Sequence, residues 1–312
     1  MSRGPTFDAM PITVVVFTQQ GLDALSGVDE LEPVLVDTAD RSTWPQQARA
    51  VVTAGESPEG VLQVVEAVEG VEVVQTLSAG VEAWLGRLPE GVQLVNGRGA
   101  HGGSTAEWAV TVLLALRRGI PGFVRQQDAH EWREVGSPGL QGAHVVVVGA
   151  GDLGEQTRRR LDGFGCSVTL VGRTARDGVR GVDELPGLLP GADAVVLVVP
   201  ITDATRGLVD AAFLARMKDG AVLVNAARGP VVDTDALRAE LRSGRLLAGL
   251  DVTDPEPLPA DHLLWDAPGL LLTPHVGGHT AGSGERAWAV AREQLLVLAR
   301  GERPGNTVGP DY

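Results

Sequence analysis

Three residues with chemically useful side chains each follow an apolar run in the second half of the chain. Arg228 follows AVLVNAA, Glu256 stands in LDVTDPEPLP, and His275 stands in LLLTPHVGGHT. An arginine can bind a carboxylate through two parallel hydrogen bonds. A carboxylate beside a histidine orients the ring and favours its protonated form. The set suits reduction of a carbonyl, in which negative charge builds on oxygen and a proton must be supplied.

Each of these residues also has a plainer interpretation. Arg228 could be a surface arginine in a loop, Glu256 part of a proline-rich acidic loop, and His275 a structural histidine. Among the other histidines, His279 is interpreted as a rim residue, and His101 as a structural or surface residue with a position in the cleft as the alternative. The sequence positions of Arg228, Glu256 and His275, each at the end of an apolar run, favour the catalytic interpretation, because ligands bind at the carboxyl ends of parallel strands.

The element that must organise this chemistry is HVVVVGAGDLG, residues 144–154. Four valines predict a buried strand, and Gly149, Gly151 and Gly154 predict a tight turn into a helix. Gly149 permits the turn, Gly151 lets backbone approach a pyrophosphate, and Gly154 lets the helix pack on the strand. Asp152 and Leu153 belong to the turn and are predicted to contact the cofactor. A helical segment is expected from Glu155 to Leu161, and the N–H groups and dipole at its start favour phosphate. The pattern predicts dinucleotide binding; the alternative is a glycine-rich turn without a ligand.

Apolar runs alternate with helical segments throughout the chain, which predicts parallel sheets covered on both faces. The first part contains runs at 12–17, 33–36, 50–52, 71–76 and 92–95, and a helix from Pro58 to Glu69. The second part contains six runs, at 145–148, 167–171, 194–199, 221–225, 247–251 and 270–273. We therefore predict an α/β protein with two doubly wound parallel-sheet domains, a flavodoxin-like substrate domain and a Rossmann cofactor domain.

Two long helices are expected to join these domains. Ser104 and Glu107 fit a capping box, which predicts a connecting helix from Ser104 to Arg118. An amphipathic helix from Ser283 to Arg300 is expected to return the chain to the first domain. The expected boundaries are 1–103, completed by 285–312, for the substrate domain and 104–284 for the cofactor domain.

Composition excludes several classes of protein. The chain of 312 residues has a net charge of -14 and no dense basic cluster, so we expect no nucleic-acid partner. The single cysteine, Cys166, excludes an internal disulfide framework and a cysteine-based metal site, and we expect no metal. The N-terminal residues lack a long apolar region and no apolar run could span a bilayer, so we expect no signal peptide, no membrane partner and a cytoplasmic location.

Several motifs make the chain resemble one family over nearly its whole length. They are GAGDLG, VVPITDATRGLV, MKDGAVLVNAARGPVVDTDAL, GLDVTDPEPLP and LTPHVGG, with QTLSAGVE and LVNGRGAHGGSTAEWAV in the first part. The chain resembles the D-isomer-specific 2-hydroxyacid dehydrogenases. The resemblance implies an oxidoreductase that interconverts a 2-oxo acid and a D-2-hydroxy acid with a nicotinamide cofactor.

The resemblance also implies roles for particular residues. Arg228 would bind the 2-oxo acid, His275 would protonate the forming alkoxide, and Glu256 would keep His275 protonated. Backbone N–H groups of a first-domain loop would hold the substrate carboxylate; the matching residues are Ser78, Ala79, Gly80 and Val81. Contacts to the cofactor would come from Ala226, Ala227, Arg228, Asp251, His275, Gly277 and Gly278 in addition to the glycine turn.

One departure from the usual pattern bears on the cofactor. Dinucleotide folds usually carry an acidic residue at the end of the second strand, where it binds the ribose hydroxyls of NAD. Here VTLVGRTAR places Arg173 at that point, followed by Thr174. An arginine suits a 2′-phosphate, so NADP is favoured. The alternative is NAD, with the arginine stacked on adenine.

Substrate and assembly are expectations drawn from the same resemblance. Glyoxylate or hydroxypyruvate is the favoured substrate. The alternatives are a phosphoglycerate-, formate- or phosphite-type dehydrogenase of the same fold, or a dinucleotide-sensing protein of the corepressor kind. A homodimer is expected across the connecting helices near Ser104–Arg118.

Overall fold

The computed structural model describes residues 10–309, and the backbone divides into two compact units. One unit takes the chain up to His101 and resumes at Ala281, and the other spans Gly102–Thr280. Residues 1–9 and 310–312 lie outside the described part, and with them most of the segment on which the signal-peptide expectation rests. The assignment of residues 1–103 with 285–312 to substrate, and of 104–284 to cofactor, stays a prediction.

The first unit is built on a five-stranded parallel sheet with the order β2-β1-β3-β4-β5, the flavodoxin-like order that the sequence predicts. The valine-rich strands are covered on both faces, so Val14, Val15 and Val16 are all fully buried. Helix α2 begins after Ser57, whose hydroxyl accepts from the Gly60 N–H, and it buries Val61, Val64 and Val65. The elements in chain order are β1 (Ile12–Val16), α1 (Gln19–Leu25), β2 (Leu31–Leu35), β3 (Ala50–Val52), α2 (Pro58–Ala67), β4 (Val73–Gln75) and β5 (Gln93–Val95).

The second unit is built on a seven-stranded parallel sheet with the order β12-β11-β10-β9-β6-β7-β8. Its central strands reproduce the Rossmann arrangement, with β6 beside β7 on one side and β9 on the other. The elements are α3 (Gly102–Arg117), α4 (Ile120–Asp128), β6 (His144–Val148), α5 (Asp152–Asp162), β7 (Ser167–Gly172), β8 (Val179–Gly181), α6 (Leu185–Leu188), β9 (Ala194–Leu197), α7 (Ala211–Arg216), β10 (Val222–Asn225), α8 (Thr234–Ser243), β11 (Leu247–Leu250) and β12 (Leu270–Leu272).

Two details of the second unit differ from the sequence prediction. The sheet has a seventh strand, β8, which pairs with β7 from Val179 to Gly181 and which the apolar-run search misses because its surroundings are polar. The prediction that Ser104 caps the N-terminus of the helix is wrong, because α3 begins at Gly102. Ser104 lies within the first turn, where its hydroxyl is hydrogen-bonded to that of Thr280 at 2.8 Å.

The last helix, α9 (Ser283–Ala299), returns to the first unit as the sequence predicts. Its Trp288 is buried over α1, where a Cβ on Gly21 would lie 2.6 Å from the indole ring. After α9, Thr307 pairs with Val95 in an antiparallel bridge at the edge of the sheet. Among residues 10–309, none of the helices combines the length and apolar character needed to cross a membrane.

Candidate active site

Two of the three glycines in the turn after β6 are required by packing. Gly149 has φ of 120°, and a Cβ on it would lie 2.5 Å from the Val198 carbonyl oxygen. A Cβ on Gly154 would overlap the carbonyl oxygen of Gly149. Both positions therefore allow β6, β9 and α5 to approach more closely than any side chain would permit.

Gly151 differs from its two neighbours, because no atom of the described residues lies within 4 Å of where its Cβ would be. Gly151 is exposed and immediately precedes α5, whose first N–H groups have no partner within the helix. Packing does not require glycine here, whereas close approach of a pyrophosphate does. The turn therefore fits the dinucleotide that the sequence predicts.

The acidic residues at the start of α5 are accommodated by neighbouring groups. The carboxylate of Asp152, at the first position of α5, lies against Gly102, where a Cβ would overlap it. Hydrogen bonds from Arg158 and then Arg159 lower the pKa of Glu155 to about 2. Glu155 is therefore ionised but paired, and its charge is offset beside the predicted phosphate position.

The end of β7 carries the residues predicted to select the cofactor. Arg173 and Thr174 are both exposed in the segment that follows the strand. Close by, Arg176 donates from Nη2 to the carbonyl oxygen of Ala150 at 2.7 Å. This bond ties the segment after β7 to the glycine turn, so the two predicted contact regions for the cofactor form one surface.

His275 and Glu256 meet, as their order in the sequence predicts. The distance between Nδ1 of His275 and Oε1 of Glu256 is 2.5 Å. The side chains are 50% and 38% exposed, so the pair is accessible to a small molecule. Because Nδ1 is engaged, Nε2 is the ring nitrogen that remains for exchange of a proton.

Asp251 holds the turn that carries His275. This buried carboxylate accepts from the hydroxyl of Thr273 at 2.6 Å and from the N–H groups of Val276 and Gly277 at 2.9 and 2.7 Å. The His275 N–H donates to the Asp251 carbonyl oxygen at 2.8 Å, and His275 has φ of 54°. An unfavourable left-handed backbone is thereby fixed by several bonds from one residue. The predicted contact of Asp251 with the nicotinamide stays a prediction.

Arg228 lies in a turn that is held by hydrogen bonds to the side chain of Asn225, the last residue of β10. The buried Asn225 amide donates to the Arg228 carbonyl oxygen at 3.0 Å and accepts from the Ala227 N–H at 3.0 Å. Arg228 itself is half-buried, and its Nη1 donates to the Ala227 carbonyl oxygen at 2.7 Å. These bonds fix where the guanidinium leaves the sheet.

Gly229 brings the Arg228 turn against the segment that leads to Glu256. A Cβ on Gly229 would overlap the carbonyl of Thr253 and would lie 2.8 Å from the Asp254 nitrogen. The two turns therefore touch backbone to backbone. Arg228, Glu256 and His275 follow the neighbouring parallel strands β10, β11 and β12, so all three lie at the carboxyl end of the sheet.

The remaining predicted cofactor residues lie in the same unit but offer mainly backbone. Ala226 and Ala227 are 8% and 3% exposed, and their N–H groups donate to Leu197 and Asn225. Gly277 is buried, with its Cα facing Asp251 and the ring of Trp108, and Gly278 is half-buried. No group of three or more His, Cys, Asp or Glu side chains in the described range is arranged to hold a metal ion.

The predicted carboxylate loop, Ser78–Val81, belongs to the first unit and follows β4. Its carbonyl oxygens are held by neighbouring donors: Ser78 by Thr76 and Gly97, Ala79 by Asn96, and Gly80 by the Ser78 hydroxyl. Within residues 10–309 the N–H groups of Gly80 and Val81 donate to no protein acceptor. A loop with held carbonyls and available N–H groups suits an anion.

Sequence interpretation missed the residues that position the others. Asn225 could have been noticed, since an asparagine just before a turn often bonds to the backbone two or three residues on. Thr273 and Arg176 carry no such local signal, because their partners, Asp251 and Ala150, are distant in sequence.

Comparison with known proteins identifies the family. The model of the D-isomer specific 2-hydroxyacid dehydrogenase NAD-binding domain matches residues 110–277. The chain belongs to the D-isomer specific 2-hydroxyacid dehydrogenase family. The match covers the glycine turn, includes Arg228, Glu256 and His275, and ends at Gly277.

Relatives match over more of the chain. A glyoxylate reductase from Thermofilum pendens is 31% identical over 259 residues, which cover 78% of this chain and 76% of the relative. A family member from Xanthobacter autotrophicus, solved with NADPH and MES, is 32% identical with a TM-score of 0.81, covering 96% of this chain and 98% of that one. An NADPH-dependent glyoxylate/hydroxypyruvate reductase from Sinorhizobium meliloti, solved with NADP and sulfate, is 26% identical with a TM-score of 0.80, covering 96% and 98%.

These findings confirm the resemblance and the fold predicted from sequence. They also confirm the predicted class of activity: the chain is an NAD(P)-dependent D-2-hydroxyacid dehydrogenase, an oxidoreductase that interconverts 2-oxo and D-2-hydroxy acids.

Proposed function

We propose that this dehydrogenase is an NADPH-dependent reductase of glyoxylate or hydroxypyruvate. The observation that carries the proposal is the hydrogen bond between His275 and Glu256 at the carboxyl end of the sheet, where Arg228 also lies. An acid held beside a carboxylate, with an arginine at the same end of the sheet, suits a substrate with a ketone or aldehyde next to a carboxylate. The relatives from Thermofilum pendens and Sinorhizobium meliloti support this substrate class.

In this proposal each side chain has one task. The reduced nicotinamide supplies the hydride when bound. Nε2 of protonated His275 gives its proton to the oxygen as negative charge develops there, and Glu256 stabilises the imidazolium through Nδ1. Arg228 binds the 2-oxo acid and polarises its carbonyl group. Asp251 holds the His275 turn, in which the backbone of His275 has a left-handed conformation.

The carboxylate of the substrate is assigned to the backbone of Ser78–Val81. The held carbonyl oxygens and the available N–H groups of Gly80 and Val81 support this assignment. Glyoxylate, pyruvate, hydroxypyruvate and an aromatic 2-oxo acid differ in the size of the group attached to the reacting carbonyl carbon. Comparing their turnover therefore tests the size of the site.

NADPH is proposed over NADH because Arg173 and Thr174 stand where an acidic residue would bind the ribose of NAD. A phosphate bound by an arginine through charge-assisted hydrogen bonds is stabilised by about 1.5–3 kcal/mol. The NADPH-bound and NADP-bound structures of relatives support the same choice.

The test is loss of reduced-nicotinamide absorbance with each 2-oxo acid and with NADPH or NADH. Arg173→Ala should lower kcat/KM for NADPH by about 10- to 100-fold and leave that for NADH unchanged. Arg180→Ala removes an exposed arginine on β8, the strand next to β7, where it is paired with Glu184, and should change neither value. Turnover that favours NADH would overturn the cofactor choice. Tight cofactor binding without turnover would point to the sensing-protein alternative, and turnover only of phosphoglycerate, formate or phosphite to the other dehydrogenase types.

We also propose a homodimer. Contact through the connecting helix near Ser104–Arg118 stays a prediction, and a neighbouring surface is a second candidate. Helix α3 buries much of its length within its own unit, including Ala109, Val112 and Leu113. Apolar side chains are instead exposed on α4 and the segment after it, with Val124 at 51% and Trp132 at 97%. Such exposure is typical of an interaction surface. Light scattering should give twice the chain mass, and Trp132→Ser should lower it; a parental monomer would refute the proposal.

The cytoplasm is the proposed location, and the single cysteine, which cannot form an internal disulfide, supports it. Fractionation of cells that produce the protein tests this assignment.

A further inference from the structure

Asn306, near the end of the described residues, forms hydrogen bonds through both its side chain and its backbone. Its Nδ2 donates to the carbonyl oxygens of Asn96 and Arg98 at 3.1 and 2.9 Å. Its Oδ1 accepts from Arg98 Nη2 at 3.1 Å. Its carbonyl oxygen accepts from the Asn96 N–H at 3.1 Å, and its N–H donates to the Gln294 side chain at 2.9 Å.

The target of these bonds is the turn after β5, residues 96–98, which contains no regular secondary structure. Within the turn, the Arg98 N–H donates to Asn96 Oδ1 at 3.1 Å. Both carbonyl oxygens that Asn306 binds would otherwise depend on solvent. A turn whose carbonyls are bound by a single side chain is ordered by that side chain.

This same turn is what holds the Ser78–Val81 loop. The Gly97 N–H donates to the Ser78 carbonyl oxygen at 2.8 Å, and Asn96 Nδ2 donates to the Ala79 carbonyl oxygen at 3.2 Å. A Cβ on Gly97 would overlap the carbonyl of Leu77 and lie 3.1 Å from the Ser78 nitrogen, so the two loops are in direct backbone contact. Movement of the turn must therefore move the loop.

We propose that Asn306 is a positioning residue for the substrate carboxylate, acting through the Asn96–Arg98 turn on the Ser78–Val81 loop. This inference rests on the proposed role of that loop. The carboxylate needs N–H groups that already point in one direction, since a loop that must be ordered by the ligand binds it less tightly. Asn306 supplies that order from more than 200 residues away in sequence.

The test compares three variants of the full-length protein. Asn306→Asp keeps the shape and the acceptor for Arg98 but loses both N–H donors, and Asn306→Ala loses all side-chain bonds. Thr307→Val is the control, because the Thr307 hydroxyl donates only to the Pro304 carbonyl oxygen and leaves the turn untouched. We expect both Asn306 variants to raise KM for glyoxylate about tenfold, equivalent to about 1.4 kcal/mol. We expect kcat and the dissociation constant of NADPH to be unchanged, and the control to match the parent.

A second readout does not depend on activity. Amide hydrogen exchange in the peptide covering residues 76–82 should be faster in Asn306→Asp than in the parent and unchanged in Thr307→Val. Unchanged exchange in Asn306→Asp would overturn the coupling, whatever the enzyme reduces. Faster exchange together with an unchanged KM would show that the loop is coupled but does not bind the substrate, and would overturn the proposed positioning role. If the parent reduced no 2-oxo acid, the proposed function would fail, and the exchange result would still decide the coupling.

Discussion

Gly229→Ala should show whether catalysis depends on how closely the Arg228 turn packs against the segment that leads to Glu256. The added methyl group meets backbone rather than a side chain, so no rotamer change can relieve it. Ordinary contact begins near 3.4 Å, so the Asp254 nitrogen, now 2.8 Å from the Cβ position, must retreat by about 0.6 Å and the Thr253 carbonyl by more than about 1 Å. Both atoms belong to the segment that leads to Glu256.

A displacement of about 1 Å near reacting groups costs on the order of 100-fold in rate, and strain of this kind destabilises a fold by about 1–3 kcal/mol. We therefore expect Gly229→Ala to lose about 100-fold in kcat/KM while staying folded and binding NADPH as the parent does. Steady-state kinetics, cofactor titration and a denaturant melt measure the three quantities. Gly187→Ala is the control, since no described atom lies within 4 Å of its Cβ position. A folded Gly229→Ala enzyme with parental kcat/KM would refute the proposed role of this contact.

Two further predictions concern the second unit. Gly151→Ala should weaken NADPH binding about tenfold with little change in stability, whereas Gly154→Ala should lower stability by about 1–3 kcal/mol because its Cβ overlaps the Gly149 carbonyl; equal melts for the two variants would contradict this division. Asp193→Asn should lower the unfolding free energy at pH 7 by about 1–3 kcal/mol. Burial alone would raise the pKa of Asp193, but Lys218, the His144 N–H and Arg117 lower it overall. The stabilisation is therefore present above the ordinary carboxyl pKa of about 3.9 and is lost as pH falls through the lower folded-state value. Melts of the parent and the variant should converge in that acidic range, and a pH-independent difference would contradict the assignment.

The fold was predictable from sequence wherever a strand is buried on both faces. Val145–Val148 and Val222–Val224 are continuous apolar runs because helices cover the sheet, and such runs mark strands clearly. The edge strand β8 was not predictable, since Val179, Arg180 and Gly181 carry no such run. The start of α3 was misplaced because local capping chemistry at Ser104 gave way to a tertiary bond with Thr280.

The candidate site divides in the same way. Arg228, Glu256 and His275 could be found because each follows a strand, and strand ends share one edge of a parallel sheet. The support given by Asp251 and Asn306 could not be found, because it depends on backbone conformation and on partners far along the chain. Gly229 was part of a recognised motif, but only the structure gives the reason for its small size.

The course of the chain through the first unit has a consequence for biosynthesis. Strands β1–β5 leave the ribosome before the Gly102–Thr280 unit, whereas α9, with Trp288 over Gly21, and Thr307, which pairs with Val95, leave it after that unit. The Gly102–Thr280 unit is continuous and can close on itself as soon as its last strand emerges. The first unit is therefore completed only after the second has been made, and nascent chains must carry an incompletely covered sheet until α9 has been synthesised.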